Sequence, residues 1–154
     1  MPIILTNEAG KTHLTIQYDA ANHWVYTNWI GYQTFENVVA GAMAYLAPIR
    51  ENKCPYLLND NRLLLGLWHH SLEWAATVWR PQAMEAGLTH FAHVVDPDSM
   101  ATVTADQFQK GINRDFHMRV FSDIEEAKAW LREAQQADAE QKGSSQFQEK
   151  QLKK

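Results

Sequence analysis

The residues His13-Leu14-Thr15-Ile16-Gln17-Tyr18-Asp19 alternate apolar and polar side chains, the period-2 mark of a half-buried strand. After the short turn Ala20-Ala21-Asn22, the run His23 to Ile30 is rich in aromatic and β-branched residues and predicts a second strand, paired with the first as an antiparallel hairpin. Ile3 to Thr6 is a candidate edge strand. Gly31 marks the end of the second strand, and Thr34 is a good N-cap for a helix carrying Phe35, Val38, Val39, Ala42, Leu46 and Ile49 on one face. Gly41 within that helix suggests either close approach to a neighbour or a merely tolerated glycine, and Pro48 a kink in the last turn.

The stretch Pro55 to Gly87 organises the rest. An apolar run, Tyr56-Leu57-Leu58, ends in Asn59-Asp60-Asn61-Arg62, which predicts a buried strand followed by a polar loop at its carboxyl end, where ligands of open α/β sheets commonly sit. A helix is then predicted from Ser71 to Ala86, with Leu72, Ala75, Ala76, Trp79, Ala83 and Met84 on one face, Ser71 as N-cap and Gly87 as the left-handed residue after it. Pro81 interrupts the pattern and predicts two helical pieces or a kink near Trp79.

Phe91 to Val95 is a further buried strand, Met100 to Lys110 a helix capped at Asp98 or Ser99, and Phe116 to Phe121 another strand. Ser122-Asp123-Ile124-Glu125 has the form of a capping box opening a helix with Ile124, Ala127, Leu131 and Ala134 on one face. Beyond Ala137 the periodicity is lost, so residues 138–154 are expected to be a frayed helix end and a disordered polar tail after a single domain of residues 1–137. The fold class is α/β: a mostly parallel sheet with an antiparallel N-terminal hairpin and about four helices.

Composition narrows the function. The chain has 45% apolar and 21% charged residues, six tryptophans and a net charge of −4, with basic residues clustered only near the end, so a nucleic-acid interface is not expected. The one cysteine, Cys54, cannot form an internal disulfide, which favours a reducing compartment. No signal-like N-terminus or run of roughly 18 apolar residues is present, and a cytoplasmic location is the expectation.

Three groups of residues can carry chemistry. Asp60, Asn61 and Arg62 can bind an anionic ligand or a partner through the arginine fork, or act as a local clamp on the chain. His69 and His70, with Asp60, invite a hydrolase or metal-enzyme reading. Yet no metal-binding spacing, nucleophile elbow or glycine-rich phosphate loop completes one, and Ser71 stands too close to both histidines for a triad. His90 and His93 are expected to be sheet-face histidines. No cofactor or metal is implied, and an enzyme is not expected. Trp68, Trp74 and Trp79 are the most unusual feature. A helix cannot bury all three against one sheet face, so one or two should line a groove or an oligomer contact.

Asn59-Asp60-Asn61-Arg62, then Trp74, Trp79, Pro81 and Gly87, then the strand ending Val94-Val95-Asp96-Pro97 together resemble the bacterial STAS-like proteins, which are related to anti-sigma factor antagonists. The resemblance implies a βα superhelical arrangement and a non-catalytic regulatory or protein-interaction module, expected as a homodimer. Phosphoregulated members carry an Asp, then a Ser or Thr, then Gly after the central strand. Asp60 matches that Asp, but Asn61-Arg62-Leu63 supplies neither hydroxyl nor glycine. The alternative reading is a carrier of a small apolar or amphipathic ligand held between the tryptophan-bearing helix and the sheet.

Overall fold

The computed structural model describes residues 2–112 and 116–152. Its sheet has six strands: β1 (Ile3–Thr6), β2 (Thr12–Asp19), β3 (Trp24–Tyr32), β4 (Tyr56–Leu65), β5 (His90–Val94) and β6 (His117–Phe121). Their order in space is their order in sequence. The pairs β1–β2 and β2–β3 are antiparallel, and β3 to β6 run parallel. This is the α/β sheet with an antiparallel N-terminal hairpin that the alternation of patterns predicts. Because the parallel strands never reverse their order, the sheet has no switch-point crevice of the kind that usually opens at strand carboxyl ends.

Helix α1 (Phe35–Glu51) begins where expected, with Thr34 Oγ1 accepting from the Asn37 backbone N–H at 3.1 Å. It packs on β2 and β3, and continues through Pro48 to Glu51. The next helix, α2, spans 69–86 and changes pitch along its length: a 3₁₀ turn (His69–Ser71), an α turn (Leu72–Trp74), a π segment (Ala75–Trp79) and a regular α piece (Arg80–Ala86). Pro81 falls in the first turn of that last piece, where its missing N–H costs least, so the expected interruption near Trp79 takes the form of a π bulge. Ser71 does not cap this helix. Gly87, at φ 103°, does close it in the left-handed region. Met84, expected on the inner face, is exposed, because the wider π turn rotates the residues beyond Trp79.

Helices α3 (Ala101–Ile112) and α4 (Ile124–Leu152) complete the fold. Helices α1, α2 and α3 contact one another and cover one face, while α4 lies against β4, β5 and β6 on the other. At the start of α4, Asp123 Oδ1 rather than Ser122 accepts a first-turn N–H, that of Glu125, at 2.9 Å. In place of the tail expected after Ala137, α4 runs on to Leu152, since Ala, Glu, Gln and Lys readily extend a helix already nucleated. Residues 139–143 are exposed, and Lys153 and Lys154 lie outside the described residues. Tyr56 donates a hydrogen bond to the Asp138 carboxylate, tying α4 to the start of β4.

Two strand ends differ from expectation by more than one residue. Strand β3 continues through Gly31 to Tyr32, and β4 runs unbroken through Asn59-Asp60-Asn61-Arg62 to Leu65, so these polar residues sit within a strand and not on a loop. The register explains how a strand tolerates them. Asn28 pairs with Asp60 but Ile30 with Leu63, so β4 carries an extra residue beside Trp29. The bulge switches the faces beyond it, burying Leu64 and exposing Leu63.

Gly41 is where α1 meets the sheet, and it settles the choice in favour of close approach. A Cβ there would lie 2.5 Å from Trp29 Cη2 and 2.6 Å from Leu14 Cδ2, both in buried side chains. Gly41→Ala is expected to destabilise the protein by about 1–3 kcal/mol despite the helix propensity of alanine, as an overpacked core does. Urea unfolding of the variant measures this, and an unchanged midpoint would show that the interface can yield.

Candidate functional site

In parallel strands covered on both faces, near-continuous apolar sequence is the rule. Asn59, Asn61 and His93 break it, and all three point to the face covered by α1, α2 and α3. Asn59 sits at the centre. Its Oδ1 accepts from Thr27 Oγ1 and from Trp29 Nε1, each at 2.8 Å. Two donors on one oxygen fix the amide orientation, so Asn59 Nδ2 points the other way, to Asn61 Oδ1 at 3.0 Å and toward His93 Nδ1 at 3.3 Å. Asn61 is thereby fixed as well, and its Nδ2 faces His93 Nε2 at 3.0 Å.

Both ring nitrogens of His93 therefore face amide N–H groups. A neutral imidazole accepts at one nitrogen and donates at the other, so only one of these contacts is a hydrogen bond, and an imidazolium would satisfy neither. Burial, with the ring 1% exposed, lowers the His93 pKa to about 3, a shift only partly opposed by the Asp60 charge. The ring is held by stacking on Phe91, with centroids 5.6 Å apart, and on Trp68 at 6.3 Å.

Beside this network lies a cavity of about 50 Å³, lined by residues of β3, β4 and β5 below and of α1, α2 and α3 above. Trp68, Trp79, Tyr45 and Phe108 supply much of its aromatic wall. Two indole N–H groups of the wall, Trp68 Nε1 and Trp79 Nε1, are buried and close no hydrogen bond. Burial pushes the Tyr45 phenol far above its usual value. The nearby Trp79 N–H opposes that shift without reaching hydrogen-bonding geometry. The Trp68 N–H is left with nothing to bind, an arrangement that costs about 1–3 kcal/mol for a buried polar group.

The residues singled out in the sequence divide between the two faces. Asn61, Trp68 and Trp79 meet at the cavity. Trp74 stands outside it, half-buried and edge-on to Phe35 with centroids 6.4 Å apart. Asp60 and Arg62 point to the opposite face, beside an open groove that Tyr26, Arg62 and Lys128 help to line. There Arg62 Nε and Nη2 donate to the two Asp60 carboxylate oxygens at 3.0 and 2.8 Å, the Arg62 backbone N–H donates at 3.0 Å, and Tyr26 donates its hydroxyl at 2.7 Å. This is the local clamp, with the arginine fork engaged inside the chain. Burial raises the Asp60 pKa, but the Arg62 and Tyr26 hydrogen bonds outweigh it and hold the carboxyl below its ordinary value. Burial and that same carboxylate raise the Tyr26 phenol to about 12.

The histidines of 69–70 are not brought to Asp60. His70 Nε2 donates to the Gln33 carbonyl at 3.0 Å, and Nδ1 accepts from the Ser71 hydroxyl at 2.7 Å. Ser71 is wholly buried, so the pair serves to hold the start of α2 against the end of β3. Among the described residues no group of three His, Cys, Asp or Glu side chains is placed to hold a metal ion. Cys54 is buried and its thiol is pushed up by that burial. His90 stacks on His117 with centroids 4.8 Å apart, at the amino end of the sheet on the face of α4.

The fold and site thus define an α/β domain with a small aromatic, hydrogen-bonding cavity between one helix layer and its sheet. No protein-family model matches the chain, and neither a curated protein nor a solved structure matches it. Sequence reading missed Asn59, Trp29 and Thr27 as members of the site and left His93 as a sheet-face residue. The available signal was the polar residue inside each of two apolar strands, Leu57-Leu58-Asn59 and Phe91-Ala92-His93.

Two outcomes are expected from this geometry. In an NMR titration His93 stays neutral to about pH 3, and Asn61→Asp, which sets a carboxylate beside the ring, moves its titration up into the ordinary imidazole range. A wild-type midpoint near 6.5 would refute the network as drawn. For the clamp, a folded-state pKa below the unfolded value means stability that is present above about pH 4 and lost as the pH falls through the folded pKa. Arg62→Ala is therefore expected to cost about 1 kcal/mol at pH 7, discounted for the exposed guanidinium, and less at pH 3, where the wild type has begun to lose the contribution. Denaturant midpoints at the two pH values check the sign.

Proposed function

We propose that this chain is a non-catalytic regulatory or carrier module that binds a small, largely apolar ligand in the cavity beneath the tryptophan-bearing helix. One observation carries the reading: a buried indole N–H without a partner, that of Trp68, belongs to a side chain that lines a largely aromatic cavity. Native proteins rarely strand a buried donor, and such groups concentrate where a ligand or water completes the bonding. The π segment of α2 supports it, since a single widened turn is a frequent device at functional sites, and Trp79 is the last residue of that turn. In this reading Asn61, Trp68 and Trp79 contact the ligand, and Asp60 and Arg62 stiffen the strand that presents Asn61.

A second reading, the STAS-like protein-interaction module of a bacterial cytoplasm, has its own support. Tyr32, Leu63, Leu65 and Leu67 are exposed where β3 and β4 extend past the end of β5. An apolar cluster of that kind suits a partner surface or a second copy of the chain. The two readings are compatible, because a ligand seated at Asn61 would adjoin the same extension.

Ala42→Met, which fills the cavity from α1 with an apolar side chain, separates binding from folding. Native mass spectrometry of gently purified protein is expected to show a retained small molecule on the wild type and none on Ala42→Met, with both chains folded by circular dichroism. Bare protein in both cases, with no mass recovered on organic extraction, would remove the ligand reading and leave the interaction surface.

A further inference from the structure

We infer that the cavity selects a neutral carbonyl group, the ketone, aldehyde or ester end of a small apolar molecule, and rejects carboxylates. This rests on the ligand-binding reading above and adds the chemistry of the ligand to it. The basis is a count of donors and acceptors in the lining. Asn59 Oδ1 already accepts twice and Asn61 Oδ1 once, which leaves one amide lone pair, on Asn61, and the Tyr45 hydroxyl to accept. On the donor side, the Trp68 N–H is unpaired, and the contacts of His93 with Asn59 and Asn61 leave one N–H facing another. The lining thus has donors in excess and needs an acceptor.

Water is a weaker answer than a pure acceptor, because it brings two donors of its own into a lining whose free acceptors are one Asn61 lone pair and the Tyr45 hydroxyl. A carbonyl oxygen brings two lone pairs and no hydrogen. A carboxylate also brings acceptors, but among the described residues the lining holds no Lys or Arg, and its histidine, His93, stays neutral. An anion there would be desolvated without a counter-charge. Size fits a small group. About 50 Å³ exceeds the roughly 10–15 Å³ that one water centre needs and admits a group of a few heavy atoms among the aromatic side chains of the lining.

Three probes of nearly one shape test this on the full chain: butanone, its hydrocarbon isostere 2-methyl-1-butene, and propionate. The readout is the indole ¹H–¹⁵N signal of Trp68, assigned with Trp68→Phe, followed as each probe is added. Butanone is expected to saturate a downfield shift of that signal, the mark of a newly made hydrogen bond, and to bind at least several-fold more weakly to Trp68→Phe. Propionate is expected to leave the signal in place at the same concentrations, and the hydrocarbon to bind without the downfield shift. If the hydrocarbon binds Trp68→Phe and wild type alike and butanone moves no indole N–H, the cavity is a ligand site without carbonyl selection, and this inference fails while the binding reading stands. Propionate binding more tightly than butanone also overturns it. If no probe perturbs any cavity resonance, both fall together.

Discussion

The structure depends on a single amide. Asn59 stands in the middle strand of the parallel half of the sheet, where an apolar residue would cost nothing to bury, and its oxygen must accept from both Thr27 and Trp29. That requirement fixes the amide orientation, which fixes Asn61, which in turn dictates what His93 can and cannot satisfy. It also pins the Trp29 ring, against which α1 comes so close that only Gly41 fits. A buried polar network in a low-dielectric interior specifies one arrangement when fully satisfied, and is costly wherever it is not. Here two of the unpaired buried groups, the Trp68 and Trp79 N–H, belong to the cavity wall.

The two faces of β4 serve different ends. On the α4 face, Asp60 collects Arg62 and Tyr26 into a clamp in which both of its carboxylate oxygens are engaged. On the other face, Asn59 and Asn61 lead to a wall with an unpaired donor. Alternation along one strand delivers a finished interaction to one side and an unfinished one to the other. The bulge opposite Trp29 then ends the pattern, returning Leu64 to the cavity and setting Leu63 and Leu65 outward. What the chain recognises is set by these few residues more than by the α/β scaffold, which supports many functions.

The architecture was legible in the sequence because it follows from periodicity. The His13–Asp19 alternation and the α4 face each match the element observed, and the α1 face does so except at Phe35, which is exposed. Pro81 and Gly87 marked a real interruption and a real end to α2. The polar run Asn59 to Arg62 misled for an identifiable reason: four consecutive polar residues resemble a loop when each is scored alone. In the strand they are absorbed by tertiary partners distant in sequence, Thr27, Trp29 and His93 on one face and Tyr26 on the other. Trp68, Trp74 and Trp79 were correctly judged unable to share one face. The interruption that Pro81 marked took the form of a π turn ending at Trp79, a form that no residue pattern announced. The helical continuation past Ala137 shows the converse, since propensity extends a helix without any apolar face to signal it.

An atomic-resolution crystal structure of gently purified protein, read at one atom, tests the central claim most directly. The account predicts ligand density in the cavity with an acceptor oxygen about 3 Å from Trp68 Nε1 and no partner supplied by the chain itself. A dry, empty cavity, or a Trp68 ring turned so that its N–H bonds a protein carbonyl, would contradict it, because the network would then be complete without anything to bind.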